Sequence, residues 1–290
     1  MKELVVISGK GGTGKTTVVS SFAALAENKV IADCDVDAAD LHLILRPQVE
    51  KTISYQGSEV AVVDLDSCTG CQECQKICRF DAVFQRDGKY DVDPLLCEGC
   101  GACAYICPVR AIEMKPRLSG WVYISRTPYG TMVHGELKPG EETSGKLVTQ
   151  VKMHARELGR LEGAELLLID GSPGIGCPVI SSLSGAQAAL VVTEPSRSAI
   201  HDLARVVEVA KFFRTRVFLV LNKLDLSPAL AREVEEYAEK EGLVMAGRIP
   251  YDEEVIRAQV EGRPVVEDGS GPAARAIREL WERVAESLGL

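Results

Sequence analysis

Short runs of apolar, largely β-branched residues recur along the chain and alternate with stretches whose apolar positions return every three or four residues. The runs near residues 4–8, 30–33, 165–170, 188–193, 217–221 and 243–248 predict strands, and the periodic stretches near 15–27, 147–161, 198–213 and 227–241 predict helices. AELLLID lacks polar alternation, as a strand covered on both faces does. The order implies an α/β fold, a doubly wound and mostly parallel sheet with ligands at the carboxyl ends of its strands. Near the C-terminus, Ile277, Leu280, Trp281, Val284 and Leu288 fall at helical spacing. A membrane-binding helix would flank that stripe with Lys and Arg; this one is acidic to neutral, so it is expected to pack into the core.

Between residues 59 and 116 the pattern gives way to cysteines. CTGCQECQKICRF carries Cys68, Cys71, Cys74 and Cys78, and the same spacing returns at Cys97, Cys100, Cys103 and Cys107, followed by Pro108. The similar segments RFDAVF and PVRAIEM that follow mark an internal duplication. In C-x2-C-x2-C-x3-C runs the first three thiolates wrap one cubane and the fourth ligates the other. Two [4Fe-4S] clusters are therefore predicted, one on Cys68, Cys71, Cys74 and Cys107, the other on Cys97, Cys100, Cys103 and Cys78. Four-thiolate zinc is the competing reading. Arg79 stands where a proline usually follows the fourth cysteine, so the two potentials need not match. The expected organisation is a large domain in two parts, 1–58 and 117–290, interrupted by a small α+β ferredoxin-like domain at 59–116.

With 290 residues, 46% of them apolar and 26% charged, the chain can bury a full core. A net charge of -9 argues against nucleic acid or an anionic membrane as a partner. No apolar run is long enough to span a bilayer, and MKELVVISGK passes straight into a motif without a signal peptide, so a cytoplasmic location is expected. Eight of the 10 cysteines lie in the two runs, a metal-ligand pattern rather than a disulfide framework.

Strand, loop and helix meet at GKGGTGKT (residues 9–16), which satisfies G-x-x-x-x-G-K-[ST]. Backbone amides of Gly9, Gly11, Gly12, Thr13, Gly14, Lys15, Thr16 and Thr17 are placed to bind ATP or ADP phosphates at a helix N-terminus. Lys15 would reach the terminal phosphates and the Thr16 hydroxyl would ligate Mg²⁺. Asp170 ends the strand of AELLLIDGSPGIGCP, where its carboxylate can hold a water on Mg²⁺, and a glycine-rich loop follows that could sense the γ-phosphate. VFLVLNKLDL ends in Asn222, the candidate base contact.

The additional Lys10, the D-x-D at Asp33 and Asp35 and these strand ends resemble the deviant P-loop ATPases of the MinD/ParA, nitrogenase iron protein and CobQ/CobB group, over residues 1–55 and 117–290. The resemblance implies that Lys10 reaches the partner's phosphates across a nucleotide-sandwich dimer and that Asp35 orients the attacking water. It also implies that Pro250, in GRIPYDEEV, lies near the adenine. Lys10, Lys15 and Asp35 are thus the catalytic candidates. Among these proteins the chain resembles most the MinD-like ATPases with an inserted ferredoxin domain.

Cys177 resembles the switch cysteine of the nitrogenase iron protein in its offset from Asp170, but residues 117–160 hold no second cysteine. A thiol at a dimer interface or a buried structural thiol remains. Cys34 reads as core. His42, His134, His154 and His201 fall in no metal spacing, and GEETSG reads as a solvated loop.

The leading expectation is an ATP-hydrolysing iron-sulfur protein whose MgATP-driven dimer closure, with itself or a paralogous subunit, is coupled to two clusters. It would serve electron transfer or cofactor assembly with a partner protein. The alternative is a MinD/ParA-like positioning switch with structural clusters. An amidating enzyme of the cobyrinic acid a,c-diamide synthase type ranks lower, because the residues after about 255 are too few for a glutaminase domain.

Overall fold

The computed structural model describes residues 1–37, 39–141 and 144–290. The first elements are β1 (Lys2–Ser8), α1 (Lys15–Leu25), β2 (Lys29–Asp33), α2 (Leu41–Leu45) and β3 (Gln48–Tyr55). The cysteine region follows as β4 (Ser58–Val63), α3 (Glu73–Ile77), β5 (Val83–Arg86), β6 (Lys89–Val92), α4 (Ala102–Ile106) and β7 (Ile112–Arg117). After it come β8 (Gly120–Thr127), β9 (Gly130–Leu137), α5 (Ser144–Glu162), β10 (Leu166–Pro173), α6 (Cys177–Leu183) and β11 (Ala188–Thr193). The chain ends with α7 (Arg197–Phe212), β12 (Arg216–Asn222), α8 (Pro228–Glu241), β13 (Val244–Ile249), α9 (Glu253–Val260), α10 (Val265–Asp268) and α11 (Pro272–Leu288).

These elements form two compact units. One comprises Met1–Ile53, Val122–Glu136 and Ser144–Leu290, the other Ser54–Trp121 and Leu137–Thr143. The second differs from the 59–116 expectation because residues after β9 fold back on it: Lys138 N donates to Ser119 O at 2.9 Å, and Arg117 pairs with Glu141 at 2.9 Å.

The first unit is built on a sheet of strand order β13-β12-β11-β1-β10-β2-β9-β8-β3. Parallel pairing runs from β13 through β12, β11, β1, β10 and β2 to β9. Leu4, Val5, Val6 and Ile7 are all fully buried, so β1 is covered on both faces and reads as an unbroken apolar run. The expected strands and helices form within a few residues of their predicted bounds. The apolar runs did not announce β3, β8 and β9, which extend the sheet beyond β2. Most of β3 is exposed, and Glu50 and Lys51 put charge on it, as suits an edge strand.

The C-terminal stripe packs inward. Ile277, Leu280 and Val284 of α11 are fully buried, and Trp281 meets Phe22 of α1 with ring centroids 5.0 Å apart. No helix among the described residues is long and apolar enough to cross a membrane. The loop expected at GEETSG includes Glu142 and Thr143, which lie outside the described residues.

The second unit repeats a strand-helix-strand pattern twice. β4 pairs antiparallel with β7, and β5 with β6, so the duplication seen in the cysteine runs is also one of structure.

Candidate functional site

The phosphate-binding loop sits between β1 and α1. Gly14, immediately before α1, has φ 96°, and a Cβ there would lie 2.2 Å from Asn222 Nδ2, so both backbone conformation and space require glycine. Lys15 opens the helix and is buried between two carboxylates, its Nζ 3.0 Å from Asp35 Oδ2 and 3.1 Å from Asp170 Oδ1. Burial alone would lower its pKa, but the charges of Asp170 and Asp35 outweigh that and hold the ammonium above its ordinary value.

Behind this cluster lies a third carboxylate. Asp33 ends β2 and Asp170 lies beside it in register on β10. Asp33 Oδ1 accepts from the Asp35 amide at 3.0 Å, whereas Oδ2 is buried without a hydrogen-bond partner. Burial, followed by the charge of Asp170, pushes the Asp33 carboxyl well above the ordinary carboxylate range. Burial also raises Asp170, against the opposing effect of Lys15. One lysine thus faces three carboxylates, and the Thr13 hydroxyl is likewise buried and unpartnered. A cation-bearing ligand would relieve both features. The donors fit Mg²⁺ with a nucleotide: a hydroxyl at Thr16, carboxylates behind it and an oriented lysine.

An open cavity runs along the carboxyl ends of the strands. Its wall brings together Gly11, Gly12, Gly14, Lys15, Thr16, Thr17, Asp35, Asn222 and Pro250, all expected from sequence. Gly9, Lys10, Thr13 and Asp170 are not on that wall; Asp170 lies beneath it, on Lys15. Lys10 is engaged within its own chain, 2.8 Å from Glu194 and donating to Ser198 Oγ at 3.2 Å. The amide of Asn222 is committed to the loop, with Nδ2 donating to Thr13 O at 2.8 Å. Its first observed role is thus to brace the loop.

Several wall residues escaped the sequence reading. Leu43, Ile44, Tyr251, Val255 and Ile256 supply an apolar side suited to a base, and Gln259 donates to Thr17 Oγ1 at 2.9 Å. Glu194 also escaped it, although it directly follows β11, where the strand-end rule would have found it. Besides Lys10 it pairs at 3.1 Å with Lys223, which donates to Gly12 O at 2.8 Å.

In the second unit, Cys68, Cys71, Cys74 and Cys107 line one small cavity of about 20 Å³. Cys78, Cys97, Cys100 and Cys103 line another of about 20 Å³. Each set takes three cysteines from one run and the fourth from the other. Among the described residues no three His, Cys, Asp or Glu side chains are grouped to hold a single metal ion. The four thiols of each set line one common space. The Ala111 amide donates to Cys107 Sγ at 3.3 Å. Cys34 is fully buried, as expected of a core thiol, whereas Cys177 is exposed at the start of α6 and is not a buried structural thiol.

Comparison with known proteins gives three kinds of match. The family described as the CobQ/CobB/MinD/ParA nucleotide binding domain matches residues 4–265. An uncharacterized protein of Methanocaldococcus jannaschii is 34% identical over 99% of this chain and 97% of its own length. The iron-sulfur cluster carrier protein of Pyrococcus abyssi is 26% identical, covering 99% of this chain and 86% of its own. Among solved structures, the septum site-determining protein MinD complexed with Mg-ADP from Pyrococcus horikoshii has a TM-score of 0.59 at 18% identity, covering 99% of this chain and 97% of that one. That last likeness is one of fold.

Proposed function

The chain belongs to the CobQ/CobB/MinD/ParA family of P-loop ATPases, and on that premise we propose that it is an iron-sulfur ATPase in which nucleotide-driven dimer closure is coupled to two [4Fe-4S] clusters. The observation that carries the reading is the sorting of eight cysteines into two sets of four, each set drawing on both runs. Thiols that surround a cavity suit a group of several metal atoms better than a lone tetrahedral zinc ion. Cys68, Cys71, Cys74 and Cys107 would hold one cluster, and Cys78, Cys97, Cys100 and Cys103 the other. When bound, the clusters supply one-electron chemistry.

ATP hydrolysis is assigned to the first unit. On nucleotide binding Lys15 exchanges a carboxylate for a phosphate, which frees Asp35 to orient water. Thr16 and Asp170 would hold Mg²⁺, which neutralises phosphate charge. Lys10, released from Glu194, adds positive charge at the phosphates of the partner protomer. Between electron transfer and cofactor assembly, the iron-sulfur carrier name of the Pyrococcus abyssi relative supports assembly.

The test is low-temperature EPR on anaerobically purified, reduced protein without nucleotide, with MgADP and with a non-hydrolysable MgATP analogue. Two [4Fe-4S] signals that change shape or midpoint with the analogue are expected. Spectra indifferent to nucleotide would overturn the coupling and favour a partner-timing switch.

A further inference from the structure

The chain leaves β12 through Asn222, Lys223, Leu224 and Asp225, and each polar side chain of this segment bonds to backbone elsewhere. Asn222 Nδ2 donates to Thr13 O at 2.8 Å, and its Oδ1 accepts from the Lys223 amide at 2.9 Å. Lys223 Nζ donates to Gly12 O at 2.8 Å. Both residues thereby hold the phosphate loop. Asp225 turns instead to the neighbouring strand end, where its Oδ1 accepts from the Tyr251 amide at 2.7 Å. Phosphate binding and hydrolysis give that contact no task.

The segment that Asp225 holds is fixed on both sides of a single peptide. Ile249 lies beside Asn222 in the parallel register of β12 and β13. Asp252 caps α9, its carboxylate accepting from the amides of Glu254 at 2.9 Å and Ala273 at 3.2 Å. Between them Pro250 and Tyr251 line the nucleotide cavity, whereas Asp225 does not. The peptide joining Pro250 to Tyr251 is trans, so its C=O and N–H point in opposite directions. Asp225 draws the Tyr251 N–H away from the cavity, which turns the Pro250 carbonyl of the same peptide toward it. Pro250 has no N–H of its own. The backbone therefore meets a base here with an acceptor and no donor. Adenine carries a donor, its 6-amino group, where guanine carries an acceptor, the 6-oxo group. A carbonyl facing the first makes a hydrogen bond, and facing the second it leaves two acceptors opposed.

We propose that Asp225 determines the choice between 6-amino and 6-oxo purines, by locking the Pro250–Tyr251 peptide with its carbonyl toward the base. The inference rests on the ATPase reading, with the base lying against Pro250, and names the residue that sets selectivity within it. Asp225 touches no nucleotide; it is a positioning residue. Without its carboxylate the peptide is free to turn over about ψ of Pro250 and φ of Tyr251, the one link in the segment that neither strand pairing nor the Asp252 cap holds. It then offers an N–H to a 6-oxo purine.

The test is calorimetric titration of the anaerobically purified full-length protein with MgADP and with MgIDP, its 6-oxo analogue, neither of which is turned over. The wild type is expected to bind MgADP at least about tenfold more tightly, the worth of a hydrogen bond made against one left unmade. Asp225→Ala should bring the two affinities to within about threefold of each other. Asp225→Asn keeps an accepting Oδ1 for the Tyr251 amide and should keep the wild-type ratio. Asp225 is exposed in the short turn Leu224–Leu226, so neither variant removes core packing. Equal weakening of both ligands by Asp225→Ala would make Asp225 a mere brace and overturn the proposal, as would an unchanged ratio. Loss of the ratio in Asp225→Asn would also overturn it, since the accepting oxygen would then not be what matters. A wild type that binds both ligands equally would sink the selectivity and leave the ATPase reading standing. A wild type that binds neither would refute the ATPase reading, and the role of Asp225 with it.

Discussion

Asp33 and Asp170 stand side by side in register on adjacent parallel strands, both 1% exposed, with Lys15 hydrogen-bonded to Asp170 but not to Asp33. Asp33 is left with one partnered oxygen and one orphan. A carboxyl whose folded pKa is raised contributes stability below its unfolded pKa and loses it as pH rises through the folded value. The nucleotide-free protein should therefore lose stability from the ordinary carboxylate range upward on account of Asp33. Asp33→Asn is expected to flatten that slope and to stabilise the nucleotide-free protein by about 1–3 kcal/mol at neutral pH. It should also reduce the extra stability conferred by MgATP. Urea unfolding at acidic and neutral pH, with and without MgATP, checks both; an unchanged slope would show that Asp33 carries no uncompensated charge.

Glu194 holds Lys10 at 2.8 Å and Lys223 at 3.1 Å, which keeps Lys10 inside its own protomer. A lysine that serves the partner's phosphates must first leave this pair. An ion pair of this exposure contributes about 1 kcal/mol, roughly a fivefold change in an equilibrium. Glu194→Gln should accordingly shift ATP-analogue-dependent dimerisation to about fivefold lower protein concentration, and Lys10→Ala should abolish it. Sedimentation velocity reads both. Dimerisation of Lys10→Ala at the wild-type concentration would remove Lys10 from the interface.

Asn222 gives a sharper test of the loop. Its Nδ2 is committed to Thr13 O at 2.8 Å, and Gly14 leaves it no spare room. If Asn222 braces the loop, Asn222→Ala should weaken ATP, GTP and inorganic pyrophosphate alike, by about tenfold for a buried hydrogen bond lost at the phosphate site. If it reads the base, pyrophosphate binding should be untouched. Gly14→Ala should abolish binding of all three. Calorimetric titration of the three ligands distinguishes the cases.

How legible these features were in the sequence depends on their range. β1, β10, β11 and β12 were plain because buried parallel strands are continuous apolar runs, Asp170 because it ends the apolar part of such a run, Lys15 because the phosphate-loop motif carries it, and Asp35 through the family resemblance. The partition of cysteines followed from spacing alone. β3 hid because an edge strand of mixed polarity leaves no run, and the Lys10–Glu194 and Arg117–Glu141 pairs hid because nothing local marks which distant charge a side chain will meet. The orphan on Asp33 was equally invisible: whether a carboxylate is compensated is a property of burial and neighbours.

The cysteine unit should also depend on iron for its fold. Among the described residues its core buries nine residues, of which three are cysteines facing the two cavities, and the others are mostly small. Without iron, the spaces lined by the two cysteine sets would lie beside that core without the group that bridges their thiols. So small a core supplies little stability of its own, and the energy of holding the metal group becomes folding energy for the unit. Anaerobic chelation is therefore expected to unfold residues 54–121, exposing them to limited proteolysis. The unit of Met1–Ile53, Val122–Glu136 and Ser144–Leu290 has its own large core and should retain nucleotide binding. Fragment masses after brief proteolysis, together with binding of a fluorescent ATP analogue, report on the two units separately. Persisting protection of 54–121 without iron would mean that its small core suffices. Loss of nucleotide binding on chelation would make the two units one cooperative folding unit, since metal binding energy is then folding energy for both.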